Sequence, residues 1–198
     1  DVYNGLTCIA DQGDCVGAAP DDRGLYCGCV RDDECGDPLN VGCGDMGSGT
    51  MCCTGRPSVV SVNPFDGEDP VCLNRAVVVE FDQIMDPSRF VNLVEFEVRN
   101  LDTALPYDGT ITHYFDSGHT FMIFTPDTPW GANNDHRIIV AGDPNINDEF
   151  HDGMLNQYQV GLDGDTMSLF RTNDLFCDID HVEIDIATRP GPVWVENV

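Results

Sequence analysis

Eight thiols fall between Cys8 and Cys53, and at that density a thiol has two common uses: it ligates a metal or it bonds another thiol. The order is Cys8, Cys15, Cys27-Gly-Cys29, Cys35, Cys43 and Cys52-Cys53. Zinc sites favour CxxC pairs, which are absent, whereas a CxC and an adjacent CC suit a knot of disulfides; zinc stands as the rival reading. Eight cysteines allow about 105 pairings, so connectivity stays open. Only Cys72 and Cys177 lie beyond this block. Disulfides imply an oxidising compartment, and a chain starting at Asp1 reads as a mature, processed or trimmed product of the secretory route.

The second chemistry is that of hard oxygen ligands. The 198 residues carry nine arginines, no lysine and 35 acids, 27 of them Asp, for a formal net charge of −26. Such a surface repels nucleic acid, and anionic membranes too unless calcium bridges the two. A solvated surface adapted to salty water and a calcium-binding surface both fit this composition. The best ligand candidates are Asp143, Asn145, Asn147 and Asp148, with Asp152 following. Asp148 stands where an EF-hand needs glycine and Met154 where it needs glutamate, so the alternatives are a structural calcium site of another kind and an ordinary solvated loop. Calcium is the one cofactor the sequence suggests.

Catalytic signatures are missing. The chain contains no Gly-x-Ser-x-Gly, HExxH, phosphate loop or CxxCH. Acidic pairs are too abundant to discriminate a glycosidase. His113 and His119 could meet across a hairpin, though strand packing explains them as well; His136, His151 and His181 are dispersed.

These groups need elements to position them, and the pattern changes at residue 57. About 56 residues cannot bury enough apolar surface to fold unaided, so residues 1–56 read as a small, loop-dominated module held by disulfides. The rest is a series of short β runs divided by turn chemistry, with no sustained helical period. Val59, Val60 and Val62 form the first run, and Asn63-Pro64 and Asp66-Gly67 a turn. Val77 to Phe81 form the second, and Val94, Phe96 and Val98 share one face of a third, half-buried strand. Residues 111–115 lead through Ser117-Gly118 into Thr120 to Thr125, whose continuous apolar centre suits a central strand. Arg137 to Ala141 and Met167 to Thr172 bring the total to about seven, as in an all-β immunoglobulin-like sandwich over 57–177.

Several of these stretches carry a resemblance. Pro57-Ser-Val-Val-Ser-Val-Asn-Pro64, Val77-Val-Val-Glu-Phe81, Ile84-Met-Asp-Pro87, Phe124-Thr-Pro126, Arg137-Ile-Ile-Val140 and Phe170-Arg-Thr172 together resemble the bacterial Ig-like domain of the S-layer type. The resemblance covers residues 57 to about 173. It implies a spacer, stalk or assembly module of bacterial surface and secreted proteins, usually in tandem, with no catalytic residues to carry over. The segment Gly142 to Gly164 is longer than the family's loop at that place, and is expected to carry whatever is specific to this protein. In such a sandwich the first strand commonly runs parallel to the last, which implies a Cys72–Cys177 bond; pairing with the front module or another molecule is the alternative.

Residues 178–198 hold one more pattern: Val182, Ile184 and Ile186 alternate with polar residues, and Val193, Trp194 and Val195 follow a proline break. An unpaired amphipathic strand is costly to expose. It reads as an extra strand of the sandwich, the opening strand of a further domain, or a strand donated to a neighbouring subunit. The expectation is therefore a non-enzymatic extracellular structural protein of a bacterial surface stalk, matrix or fibre, associating with itself or with neighbouring surface proteins and lacking a transmembrane segment. A calcium-dependent adhesin or carbohydrate-binding module is the alternative, and an accessory fragment of a secreted hydrolase a third.

Overall fold

The structure, a computed structural model, describes residues 2–3, 6–7, 29, 41–45, 51–143, 153–162, 164–177, 183–184 and 193–194. In chain order the strands are β1 (Val2–Tyr3), β2 (Leu6–Thr7), β3 (Val41–Asp45), β4 (Met51–Gly55), β5 (Val59–Asn63), β6 (Glu68–Val71), β7 (Val77–Phe81), β8 (Phe96–Asn100), β9 (Gly109–Asp116), β10 (His119–Pro126), β11 (Asp135–Val140), β12 (Thr166–Thr172), β13 (Glu183–Ile184) and β14 (Val193–Trp194). Among the described residues a 3₁₀ turn, Pro87–Arg89, is capped by the Asp86 carboxylate, which accepts from the Ser88 amide.

Two four-stranded sheets, β5-β7-β10-β9 and β6-β12-β11-β8, form the sandwich, so the chain is all-β and immunoglobulin-like. All pairings within them are antiparallel except β6 with β12, which run parallel. Inward residues at period two supply the core: Val77, Val79 and Phe81 from β7, Met122 and Phe124 from β10, Phe96 and Val98 from β8, Ile138 and Val140 from β11. Each large apolar side chain removed from water contributes about 1.5–3 kcal/mol. A smaller cluster, Val78 and Phe121 with Tyr114 and Ile123, covers the opposite face of the first sheet; Tyr114 and Phe121 stack at 4.7 Å.

Two sequence expectations need correction. Val94 does not share the buried face of Phe96 and Val98: it is 67% exposed, because the strand starts at Phe96 and the residues before it turn back, the Phe96 amide bonding the Val91 carbonyl. An eighth strand, β6, follows the Asp66-Gly67 turn. It is short, acidic and interrupted by Pro70, a composition that reads as loop and that an edge strand tolerates, since one side of its backbone makes no ladder.

The sandwich has two poles. At one lie Gly55 to Ser58, the Phe81 to Asp86 corner and the start of β10: Val59 pairs with Phe81, and Phe81 with Thr120. At the other, Leu73 bonds Leu175 and Trp130, and Asn173 bonds Val71. The chain therefore enters the sandwich at one pole and leaves it, at Cys177, from the other.

Candidate functional site

Conspicuous polar chemistry gathers at the entry pole, around the long segment between β11 and β12. Asn156 is fully buried there, and its Oδ1 accepts from the amides of Tyr158 (2.9 Å) and Val160 (3.0 Å), folding residues 156–160 into a tight side-chain-mediated turn. Its Nδ2 donates to Gln83 Oε1 at 2.9 Å, and Gln83 Nε2 donates onward to the carbonyls of Gly55 (3.1 Å) and Arg56 (2.8 Å). Arg56, also buried, returns the connection: Nη1 donates to the Gly161 carbonyl at 2.9 Å and lies 3.9 Å from the Asp143 carboxylate. Met154, Leu155, Val160 and Leu162 are buried beside these groups. The segment is thus a wedge with an apolar underside.

The front hairpin of β3 and β4 rests on the same wedge. The Asp45 amide donates to the Tyr158 carbonyl at 2.8 Å, and a Cβ at Gly44 would come within 3.0 Å of Tyr158 Cβ and Val160 Cγ2. On the other side, Gln159 donates to Asp86 at 2.9 Å. Burial raises the Asp86 pKa, but hydrogen bonds from Gln159 and Ser88 and the charge of Arg89 outweigh it and leave the carboxyl below its usual range.

Of the calcium candidates, Asp143 lies at this junction, buried and facing Arg56; Asn145, Asn147, Asp148 and Asp152 fall outside the described residues. Among the described residues, no three His, Cys, Asp or Glu side chains gather as a metal site would need.

The cysteines divide similarly. Cys29 bonds Cys43, with Cα atoms 5.9 Å apart, and Cys53, opposite Cys43 in the hairpin register, is also disulfide-bonded. Cys72 bonds Cys177 across a Cα separation of 5.3 Å. Cys52 is placed by its backbone opposite Gly44, whereas Cys8, Cys15, Cys27 and Cys35 lie outside the described residues. At this exit pole Asn74 brackets Cys177: Oδ1 accepts from its amide at 2.6 Å and Nδ2 donates to its carbonyl at 3.3 Å.

His113 and His119 do not meet. They project from opposite faces of the first sheet: His113 packs on Phe90 and Phe115, whereas His119 Nδ1 lies 2.9 Å from Glu80. Glu80 also accepts from Ser61 Oγ at 3.1 Å. The carboxylate stands between the other two, so the histidine does not touch the serine, and the trio links β5, β7 and β10. His136 was the informative histidine, as its inward alternation with Ile138 and Val140 signals. Fully buried, it receives Tyr107 Oη at Nε2 (3.1 Å) and meets the Asn134 carbonyl at Nδ1 (3.1 Å). Tyr107 Oη accepts in turn from Gly131 N at 2.8 Å and Asn100 Nδ2 at 3.2 Å. Outside these clusters, an open groove of about 320 Å³ on the second sheet is lined in part by Asp135 and Arg171, which pair with each other at 2.8 Å.

At the C-terminus, Ile184 pairs with Val193 and Glu183 with Trp194 in a short antiparallel ribbon that belongs to neither sandwich sheet. Val182, Ile186 and Val195 lie outside the described residues.

Residues 54–166 match the family model described as a bacterial Ig-like domain. No curated protein matches the chain. Among solved structures, the crystal structure of the N-terminal part of the bacterial S-layer protein SbsC is similar at 12% identity and a TM-score of 0.40, over 60% of this chain and 24% of that one.

Proposed function

This chain belongs to the bacterial Ig-like domain family, and from that membership we propose that it is a non-enzymatic, extracellular structural segment of a bacterial surface stalk, matrix or fibre. The observation that carries the proposal is the polarity of the sandwich. Entry at Gly55 to Ser58 and exit at Cys177 lie at opposite poles, so successive units would add length along one axis. Polar and sulfur groups join one part of the protein to another: Arg56, Gln83 and Asn156 at entry, Asn74 and the Cys72–Cys177 bond at exit. Leu175 and Phe176, each about 60% exposed beside the exit, offer apolar surface for a following module or subunit.

In this reading the strand-patterned C-terminal segment continues the assembly by adding to a sheet edge of a neighbouring copy. The eight-residue β9 is the longest such edge and is free of proline. Electron microscopy of the purified full chain tests it directly, with end-to-end strings expected. Deleting residues 179–198 should leave single particles; strings of unchanged length would remove strand addition from the proposal, and single particles from the full chain would remove self-assembly.

A further inference from the structure

The Cys72–Cys177 bond sits where β6 ends and the exit begins, and β6 runs parallel to β12. A pull between the entry and exit poles lies along these strands. Without a covalent link, β6 and β12 would be drawn past each other, and the ladder between them would be loaded in shear. With the bond closed, the covalent route changes. It runs from Arg56 through β5 and β6 to Cys72, crosses the two sulfurs, and leaves at Cys177.

We propose that this disulfide is a tension shunt: pulled from its ends, the protein lengthens only outside the loop that the sulfur bridge closes, through residues 57–72 on the entry side, and residues 73–176 cannot be drawn out. The sequence separation of 105 between the two cysteines measures the length of chain kept from extending. That stretch includes β7 to β12 and nearly all of the core. The inference deepens the spacer reading and rests on it for its biological sense, although the mechanics follow from connectivity alone.

Both ends of the loaded route are anchored. At entry, Arg56 bonds Gly161, and Ser58 bonds Asp82 twice, through its amide at 2.7 Å and its hydroxyl at 2.8 Å. At exit, Asn74 holds both backbone groups of Cys177, and the Leu73 amide bonds the Leu175 carbonyl at 2.8 Å. The bridge is therefore held in place by hydrogen bonds on both of its flanks, and the short loaded segment is pinned before tension reaches it.

Single-molecule stretching of the full chain, held at residues 1 and 198 without reductant, tests the shunt. The native protein should release no more than about 55 Å from residues 57–72, at roughly 3.4 Å per residue. The Cys72→Ala/Cys177→Ala protein should show an added step of about 350 Å. Neither the front module nor the tail is long enough to produce such a step. A 350 Å step in the native protein, or equal extensions in the two proteins, overturns the proposal. Should the double variant fail to fold, the native trace still decides, because a step near 350 Å is either present in it or absent. Loss of string formation would count against the spacer reading and leave this measurement untouched.

Discussion

The ring of His136 lies nearly parallel to that of Phe170, 4.8 Å between centroids and 11° between planes, inside the core of the second sheet. Burial lowers the His136 pKa to about 4, overcoming the hydrogen bond to Asn134 and the charges of Asp102 and Asp135 that favour protonation. The unfolded chain binds that proton near pH 6.5, so the stability due to the neutral ring is complete above about pH 6.5 and is lost as pH falls towards 4. The loss across that window is about 2–3 kcal/mol. Urea unfolding between pH 7.5 and 5 should show the midpoint falling; a flat profile there would contradict a neutral buried ring.

Tyr107 ties that histidine to the corner after β10. Tyr107→Phe keeps the edge-on contact with Trp130, 4.7 Å between centroids, but removes the hydroxyl that accepts hydrogen bonds from Gly131 and Asn100 and donates one to His136. Thermal denaturation should register a loss of about 1–3 kcal/mol. An unchanged transition would mean that water replaces the hydroxyl without cost.

Arg56→Ala removes the bond to Gly161 and the charge facing Asp143 together. The expected cost is about 2–3 kcal/mol. Its distinctive signature is the loss of a shared transition, with the front module and the sandwich melting separately. A single transition merely shifted downwards would show that the hairpin contact at Tyr158 suffices.

Gly142 and Gly164 form the neck of the wedge. A Cβ at Gly142 would collide with the Gly164 carbonyl, and backbone cannot yield as a flexible side chain does. Gly142→Ala should therefore destabilise by about 1–3 kcal/mol or more, whereas Gly118→Ala, in open space on the hairpin turn, should cost only its left-handed backbone strain. Proteolysis of the two variants compares them: faster cleavage within 142–164 is expected for the first alone.

The sandwich was legible because its inner faces alternate. Val77, Val79 and Phe81 announce a buried strand, and the apolar run Phe121 to Phe124 an interior one with a packed cluster on each face. The Cys72–Cys177 bond followed once the Ig-like resemblance implied parallel first and last strands. β6 was not legible, since Glu68-Asp-Pro-Val71 has the composition of a loop and becomes a strand only because β12 offers a parallel partner. The long segment was legible as distinctive and not as a wedge. Its connections join Asn156 to Gln83 and Arg56 to Gly161, 73 and 105 positions apart in sequence, and no local pattern registers such contacts.

The wedge also decides where this protein can be divided. Composition breaks near residue 56, yet the arginine at that break is completed by a carbonyl from residue 161. Recombination that moved residues 1–56 alone onto another Ig-like domain would deliver a buried cation without its acceptor. Arg56, Asp45 and Gly44 all meet residues 158–161, so a transplant of residues 1–56 keeps these contacts only if that stretch of the wedge goes with it.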